Sequence, residues 1–326
     1  MSAEGTNEAP RIGIALGGGA ARGWSHLGVM EELEAMGIQP DVIAGCSIGS
    51  VVGAFYSKGR LAELREFAES LTVLKMIEFL DITLKVGGVI SGQKVTRWIE
   101  RELEDMAVED LPIPFGAVAA DIRTGGEVWL RQGPVSQAIR ASIAIPGLLT
   151  PWPVHGRWLT DGGLVNPVPV SLARAMGADI VIAVDINGGA FRFFDDTAGD
   201  LVPLDPDPEP EPTPPNWLDE LADHLPGSLK ESTRKMVRDL LRQKDRGPQQ
   251  YEVIVNAISV MSTRITRARA AMDPADVMIT PDLASINVTQ FYKAAEAIEA
   301  GRVATRALAG QIEAAVGKAA PKALEK

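Results

Sequence analysis

A single cysteine, Cys46, stands among 326 residues, so no disulfide can form within the chain. Only three histidines occur, His26, His155 and His224, and none sits at the spacing of a structural zinc site with that cysteine. No metal and no cofactor is therefore expected. Basic residues are in deficit. The formal net charge of −11 excludes a general nucleic-acid binder, which needs a basic stripe. No run comes near the roughly 18 apolar residues of a spanning helix. Met1–Pro10 lacks the basic start and apolar core of a secretory signal and reads as a flexible lead over residues 1–10. A cytoplasmic location is expected, with peripheral membrane contact left open because one amphipathic helix suffices for it.

What is present is a core-forming composition, 46% hydrophobic and 23% charged. Arg11–Leu16, Asp41–Ala44, Ala117–Ala120, Glu127–Leu130, Trp158–Thr160 and Val277–Thr280 read as short strands. Ile180–Asp185 is a continuous apolar run, as in a strand buried on both faces. Between them lie helical spacings: residues 24–36, closed by Gly37, then Ser50–Ser57, Tyr251–Arg269 and Asn287–Ala315. Alternating strands and helices predict an α/β layered fold with a mainly parallel central sheet flanked by helices. One domain over 11–315 is expected, followed by a disordered Ala/Lys tail over 316–326.

Residues 191–248 interrupt that domain. Phe191 to His224 holds ten acidic residues against Arg192 alone, with proline at nearly every second position from Pro203 to Pro215. Such a stretch forms neither helix nor central strand and is expected to be an exposed linker. The sign then reverses over Leu225–Arg246, with seven basic and three acidic residues beside an apolar helical stripe. Leu229–Arg242 reads as a helix packed on the domain or, alternatively, one lying on a membrane surface.

Three turns carry the chemistry. Gly45-Cys46-Ser47-Ile48-Gly49 matches the G-x-S-x-G nucleophile elbow and sits between a strand and a helix, as that motif requires. Ser47 is the candidate nucleophile, with Gly45 and Gly49 making room for the bend. Gly17-Gly18-Gly19-Ala20-Ala21-Arg22-Gly23 is a second strand-to-helix turn, whose amides could hold an oxyanion or a phosphate. It fits neither the dinucleotide G-x-G-x-x-G nor a Walker A loop. Asp161-Gly162-Gly163 is the third, by itself a common turn. A serine nucleophile needs a base. Of the histidines, only His224 would follow in the order Ser, Asp, His, and a histidine base stays open on residue types alone. Asp185, at the end of its apolar run, is the fallback carboxylate.

GGGAARG, GCSIG and DGG, in that order, resemble the three signatures of patatin-like phospholipases, nearest to the bacterial RssA-type branch. The likeness extends through ARGWSHLGV, VIAGCSIGSVVGA, GRWLTDGGLVNPVPVSLARAMGADIVIAVDI and RITRARAA…DVMITPDL, over about 11–190 and 250–310. The resemblance implies a lipid or other carboxylic-ester substrate and a Ser47–Asp161 dyad acting through an acyl-enzyme. It further implies an oxyanion hole from Gly17, Gly18 and Gly19 with Arg22 closing that loop, and Gly162 and Gly163 completing the aspartate turn. Relative to plant patatins the first motif has one more residue before Arg22, which displaces that side chain from its counterpart there. Arg140-Ala141-Ser142 and Ala144-Ile145-Pro146-Gly147 look like the segment lining the acyl pocket. Read from their residue type alone, Trp152 and Trp158 either wall an apolar pocket or pack in the core, the second at least as strongly favoured. An unperturbed aspartate is a weak base at neutral pH, so Asp161 is expected to be desolvated, with a raised pKa. The alternative class is a regulatory or interaction protein that retains the hydrolase scaffold, engaging a partner through 191–248.

Overall fold

The computed structural model describes residues 9–72, 75–76, 88–188 and 250–319. The lead up to residue 8, the 191–248 insert with its Leu229–Arg242 stripe and His224, and residues 320–326 lie outside the described residues. The chain divides into two units, residues 1–192 with 254–326 and residues 193–253; the first is described below.

Its centre is one sheet. The strands β1 (Ile12–Leu16), β2 (Val42–Cys46), β4 (Phe115–Asp121), β9 (Ile180–Val184) and β10 (Val277–Ile279) run parallel in the order β10-β9-β1-β2-β4. An antiparallel flank of β5 (Glu127–Leu130), β7 (Trp152–Val154) and β8 (Arg157–Asp161) completes it. The short β3 (Gly88–Ile90) and β6 (Gly147–Leu149) pair apart from it. Side-chain alternation sends Ile14, Leu16, Ile43, Ala117, Ile182 and Val184 to one face and Ala15, Val42, Ala44, Val118, Val181 and Ala183 to the other. Both faces are buried, which is why these strands read as continuous apolar runs.

The first face is covered by α1 (Ser25–Ala35), α2 (Ile48–Ser57), α3 (Leu61–Glu69), α4 (Gln93–Glu102), α5 (Val135–Ser142) and α8 (Ala294–Ala307). The second is covered by α6 (Val170–Ala175). The long α7 (Gln250–Met272) and α9 (Ala309–Ala319) complete the described helices. α1 and α8 touch backbone to backbone. A Cβ on Gly28 would lie 1.9 Å from the Ile298 carbonyl oxygen, and one on Gly301 would lie 2.0 Å from that of Ser25. No helix of the described residues is long and apolar enough to cross a membrane.

The α/β layered fold with its mainly parallel sheet is the predicted one. Two differences lie at the C-terminal end. The helix expected over Asn287–Ala315 is broken into a 3-10 turn at Phe291–Lys293, then α8, then α9 after Leu308, whose amide folds back onto Thr305. Within α8 the Thr305 hydroxyl donates to the Gly301 carbonyl and Gly301 sits against α1, so packing ends the helix that periodicity alone prolongs. α9 runs on to Ala319, past residue 316 where the tail was expected to begin, because its alanines are strong helix formers.

Candidate active site

Pairing along β4 brings the motifs together. Cys46 of β2 pairs with Val118, and Asp161 of β8 pairs with Ala119. β5 occupies the opposite edge over Ala117–Ala120. β2 and β8 therefore lie end to end on one edge of β4, running in opposite directions, and their C-terminal ends meet there. Ser47 follows Cys46 directly, so nucleophile and carboxylate are set side by side by adjacent rungs of one strand.

The Ser47 hydroxyl donates to Asp161 Oδ2 at 2.6 Å, and both residues are 4% exposed. Ser47 holds φ 51°, ψ −124°, a backbone conformation costly for a side-chain-bearing residue. Its amide donates to Ser142 Oγ at 2.9 Å, and that hydroxyl donates to the Val118 carbonyl at 2.6 Å. Ser50 closes the turn, its amide and hydroxyl both donating to the Ser47 carbonyl. The flanking glycines are steric necessities. A Cβ on Gly49 would lie 2.2 Å from the Leu16 carbonyl oxygen and one on Gly45 would lie 2.5 Å from Ser50 Cα. Behind Ser47, the N-terminus of α2 favours negative charge.

Asp161 Oδ1 accepts the Gly163 amide at 2.7 Å, and the Asp161 amide donates to the Ala144 carbonyl at 3.0 Å. Gly162 lies where a Cβ would stand 2.3 Å from the Val118 carbonyl oxygen. Burial pushes the Asp161 carboxyl up to about 6, against the opposing pull of the hydrogen bonds from Ser47 and Gly163. The side chain is thus an acceptor positioned on the hydroxyl, and a stronger base than an exposed aspartate.

The glycine loop abuts the elbow, with a Cβ on Gly18 only 3.2 Å from Ser47 Cβ. Its amides are not equivalent. Gly17 donates to the Val184 carbonyl at 3.1 Å and Gly18 to the Pro167 carbonyl at 2.9 Å. Among the described residues the amides of Gly19 and Ala20 have no acceptor, and both residues line the cleft over Ser47. This corrects the expectation that all three glycine amides face an oxyanion: one holds the loop to β9 and one to the turn at Pro167. Arg22 reaches the loop indirectly. Its Nε donates to the Ile286 carbonyl at 2.9 Å and its Nη1 to Asn187 Oδ1 at 3.3 Å. Asn187 Nδ2 in turn donates to the Gly18 carbonyl at 2.7 Å. Arg22 steadies the loop through Asn187, a residue the sequence reading missed. Its position two residues past the Ile180–Asp185 run, at the C-terminal end of a parallel strand, was the available signal.

None of the described histidines touches the dyad. His26 is fully buried in α1, with Nε2 on the Gly17 carbonyl at 2.8 Å, and burial lowers its pKa to about 4. His155 occupies the exposed β7–β8 turn at φ 47°. Asp185 accepts the Asn187 and Gly188 amides and caps their turn. Cys46 is buried, and burial raises its thiol well above the usual range.

The cleft over the dyad has a volume of about 50 Å³, and α7 contributes Ile258, Ser259 and Ser262 to its wall. Ser262 fastens the helix through its hydroxyl to the Gly163 carbonyl at 2.9 Å. Of the segment expected to line an acyl pocket, Ile145 does so, whereas Ser142 and Ala144 support the dyad from behind. Arg140 is fully buried, donates to the Ser91 and Thr150 carbonyls, and stacks 4.8 Å over the Trp152 ring. Trp152 is engaged there and Trp158 is 51% exposed, so neither lines the cleft.

Residues 14–174 match the family model described as patatin-like phospholipase. An uncharacterized NTE family protein of Mycobacterium tuberculosis is 31% identical over 344 residues, covering 93% of this chain and 92% of its own. Patatin-like phospholipase domain-containing protein 6 of Homo sapiens is 40% identical over 183 residues, which is 54% of this chain and 13% of that protein. Among solved structures, VipD from Legionella pneumophila aligns over 93% of this chain and 67% of its own at 11% identity, with a TM-score of 0.45.

Proposed function

This chain belongs to the patatin-like phospholipase family and is a lipid hydrolase; on that premise we propose that it cleaves carboxylic esters of lipids through a Ser47–Asp161 dyad. The observation that carries the reading is the 2.6 Å hydrogen bond from the Ser47 hydroxyl, at a strained elbow, to a buried carboxylate.

The steps follow from those atoms. Ser47 Oγ attacks the ester carbonyl carbon as its proton passes to Asp161 Oδ2. The carbonyl oxygen becomes an oxyanion, held by the amides of Gly19 and Ala20, while Gly17, Gly18, Asn187 and Arg22 keep the loop in place. The carbon–oxygen bond to the alcohol breaks, and that oxygen takes the proton from Asp161. Water then attacks the acyl-serine with Asp161 again accepting a proton, and Ser47 recovers it as the fatty acid departs. Peripheral contact with a membrane belongs to the same reading, since the substrate resides there.

The test is fluorophosphonate labelling followed by peptide mapping, on wild type and on Asp161→Asn. Labelling of Ser47 in wild type that falls sharply in the variant supports the dyad. Folded protein whose Ser47 resists the reagent sinks it, and leaves a regulatory protein on a hydrolase scaffold as the better account.

A further inference from the structure

Two hairpin tips stand beyond the dyad on the same end of the sheet. The dyad lies level with Val118 and Ala119 of β4, and β4 continues past them toward Ile122. At about 3.3 Å per residue, Ile122 is roughly 10 Å farther along the strand. The Ile122 amide donates to the Trp158 carbonyl at 3.0 Å, which extends the β4–β8 ladder and sets Ile122 beside Trp158. By strand alternation both point to one face.

Both side chains are in water: Ile122 is 55% exposed and Trp158 51%. Large apolar residues collected at one place on a surface mark a contact site. The charges beside them have one sign. Arg123 and Arg157 are exposed on the same tips. The nearby carboxylates are turned inward. Asp121 is buried, accepts the Arg123 and Thr124 amides and faces Arg157 at 3.8 Å. Glu127 accepts from Asn166 and Trp129 and pairs with Arg269 of α7. A basic, tryptophan-bearing tip on a chain of net charge −11 is a local reversal of sign.

We propose that the β4–β5 and β7–β8 tips dock the enzyme on an anionic lipid surface, with Ile122 and Trp158 entering the interface and Arg123 and Arg157 meeting the headgroups. Tryptophan is suited to the boundary between water and hydrocarbon, and arginines near an anionic leaflet each add attraction that salt screens. The proposal rests on the lipid-hydrolase reading only for its biological sense, because docking needs no turnover.

The experiment uses the full chain carrying Ser47→Ala, sedimented with phosphatidylcholine vesicles and with vesicles containing phosphatidylglycerol. Salt-sensitive binding to the anionic vesicles is expected. It should weaken about tenfold in Trp158→Ser/Ile122→Ser and again in Arg123→Glu/Arg157→Glu, both checked for an unchanged melting profile. In the Ser47 background the same paired changes should leave hydrolysis of a water-soluble short-chain ester unaltered while slowing hydrolysis of vesicle-borne ester. Absence of binding by the parent chain, or folded variants that sediment like it, overturns the proposal. Vesicle binding lost in the variants from a chain whose Ser47 resists fluorophosphonate sinks the hydrolase reading and keeps the docking surface.

Discussion

Ser47 donates to Asp161 across 2.6 Å although 114 residues separate them in the chain. The contact is a product of register. Two strands arriving from opposite directions end on neighbouring residues of β4, which brings the side chains at their ends within hydrogen-bond reach.

Asp161→Asn should lower kcat by about 10²–10⁴, the usual worth of a positioned base, with KM little altered. The same variant should melt higher at alkaline pH. Burial raises the folded carboxyl to about 6 from an ordinary 3.8, so the ionised form is disfavoured by folding. That cost, on the order of 3 kcal/mol, is complete above pH 6, shrinks as pH falls and is gone below pH 3.8. Thermal melts of both proteins at pH 8 and pH 4 check it. A gain at pH 8 that persists at pH 4 would remove ionisation as its cause.

The rate profile follows from the same group. kcat/KM on a neutral ester should rise with pH through an apparent pKa near 6 and level off above it. A profile flat down to pH 4 would exclude Asp161 as the base, and titration on a water-soluble ester decides.

Asn187→Ala frees the Gly18 carbonyl and leaves Arg22 Nη1 without its acceptor. Loss of loop placement should cut kcat by about 10–10²-fold while KM changes less, since a small misplacement near the reacting atoms is expensive. Asn187→Gln, which keeps the amide, should recover part of the loss if orientation is the role. Equal loss of kcat and thermal stability in both variants would mark Asn187 as purely structural.

Gly18→Ala places a methyl 3.2 Å from Ser47 Cβ and 3.4 Å from Cys46 Sγ. The fold should survive and the rate should fall about 10²–10³-fold, as when an oxyanion donor is lost. Circular dichroism together with single-turnover acylation separates this from misfolding.

Gly28→Ala is the contrasting case, far from chemistry. Its methyl would lie 1.9 Å from the Ile298 carbonyl oxygen, so α1 and α8 must part. The cost should reach about 3 kcal/mol or more in denaturant unfolding, at the upper end for overpacking.

Much of this was legible in the sequence because the relevant residues obey local rules. The central strands read as apolar runs, and the G-x-S-x-G turn is recognisable because its glycines answer a steric demand of a few neighbouring atoms, such as the Leu16 carbonyl beside Gly49. What escaped is set by distant partners. Nothing local says that the Gly17 and Gly18 amides turn to Val184 and Pro167, or that Arg22 reaches Ile286 and Asn187. Residue type leaves Trp158 open between a pocket wall and core packing, both of which bury a tryptophan; the register of β8 on β4 instead sends it into water.

The meeting of β2 and β8 along β4 separates two kinds of change open to descendants of this chain. Between Val118 and Ala119 an inserted or deleted residue would move one partner by a strand step and reverse its side, ending the chemistry at once. Past Asp121 no such constraint holds, and the turns at 122–126 and 155–156 can lengthen, shorten or change character with the reacting atoms undisturbed. What is cleaved and where the enzyme settles can therefore be inherited and modified independently.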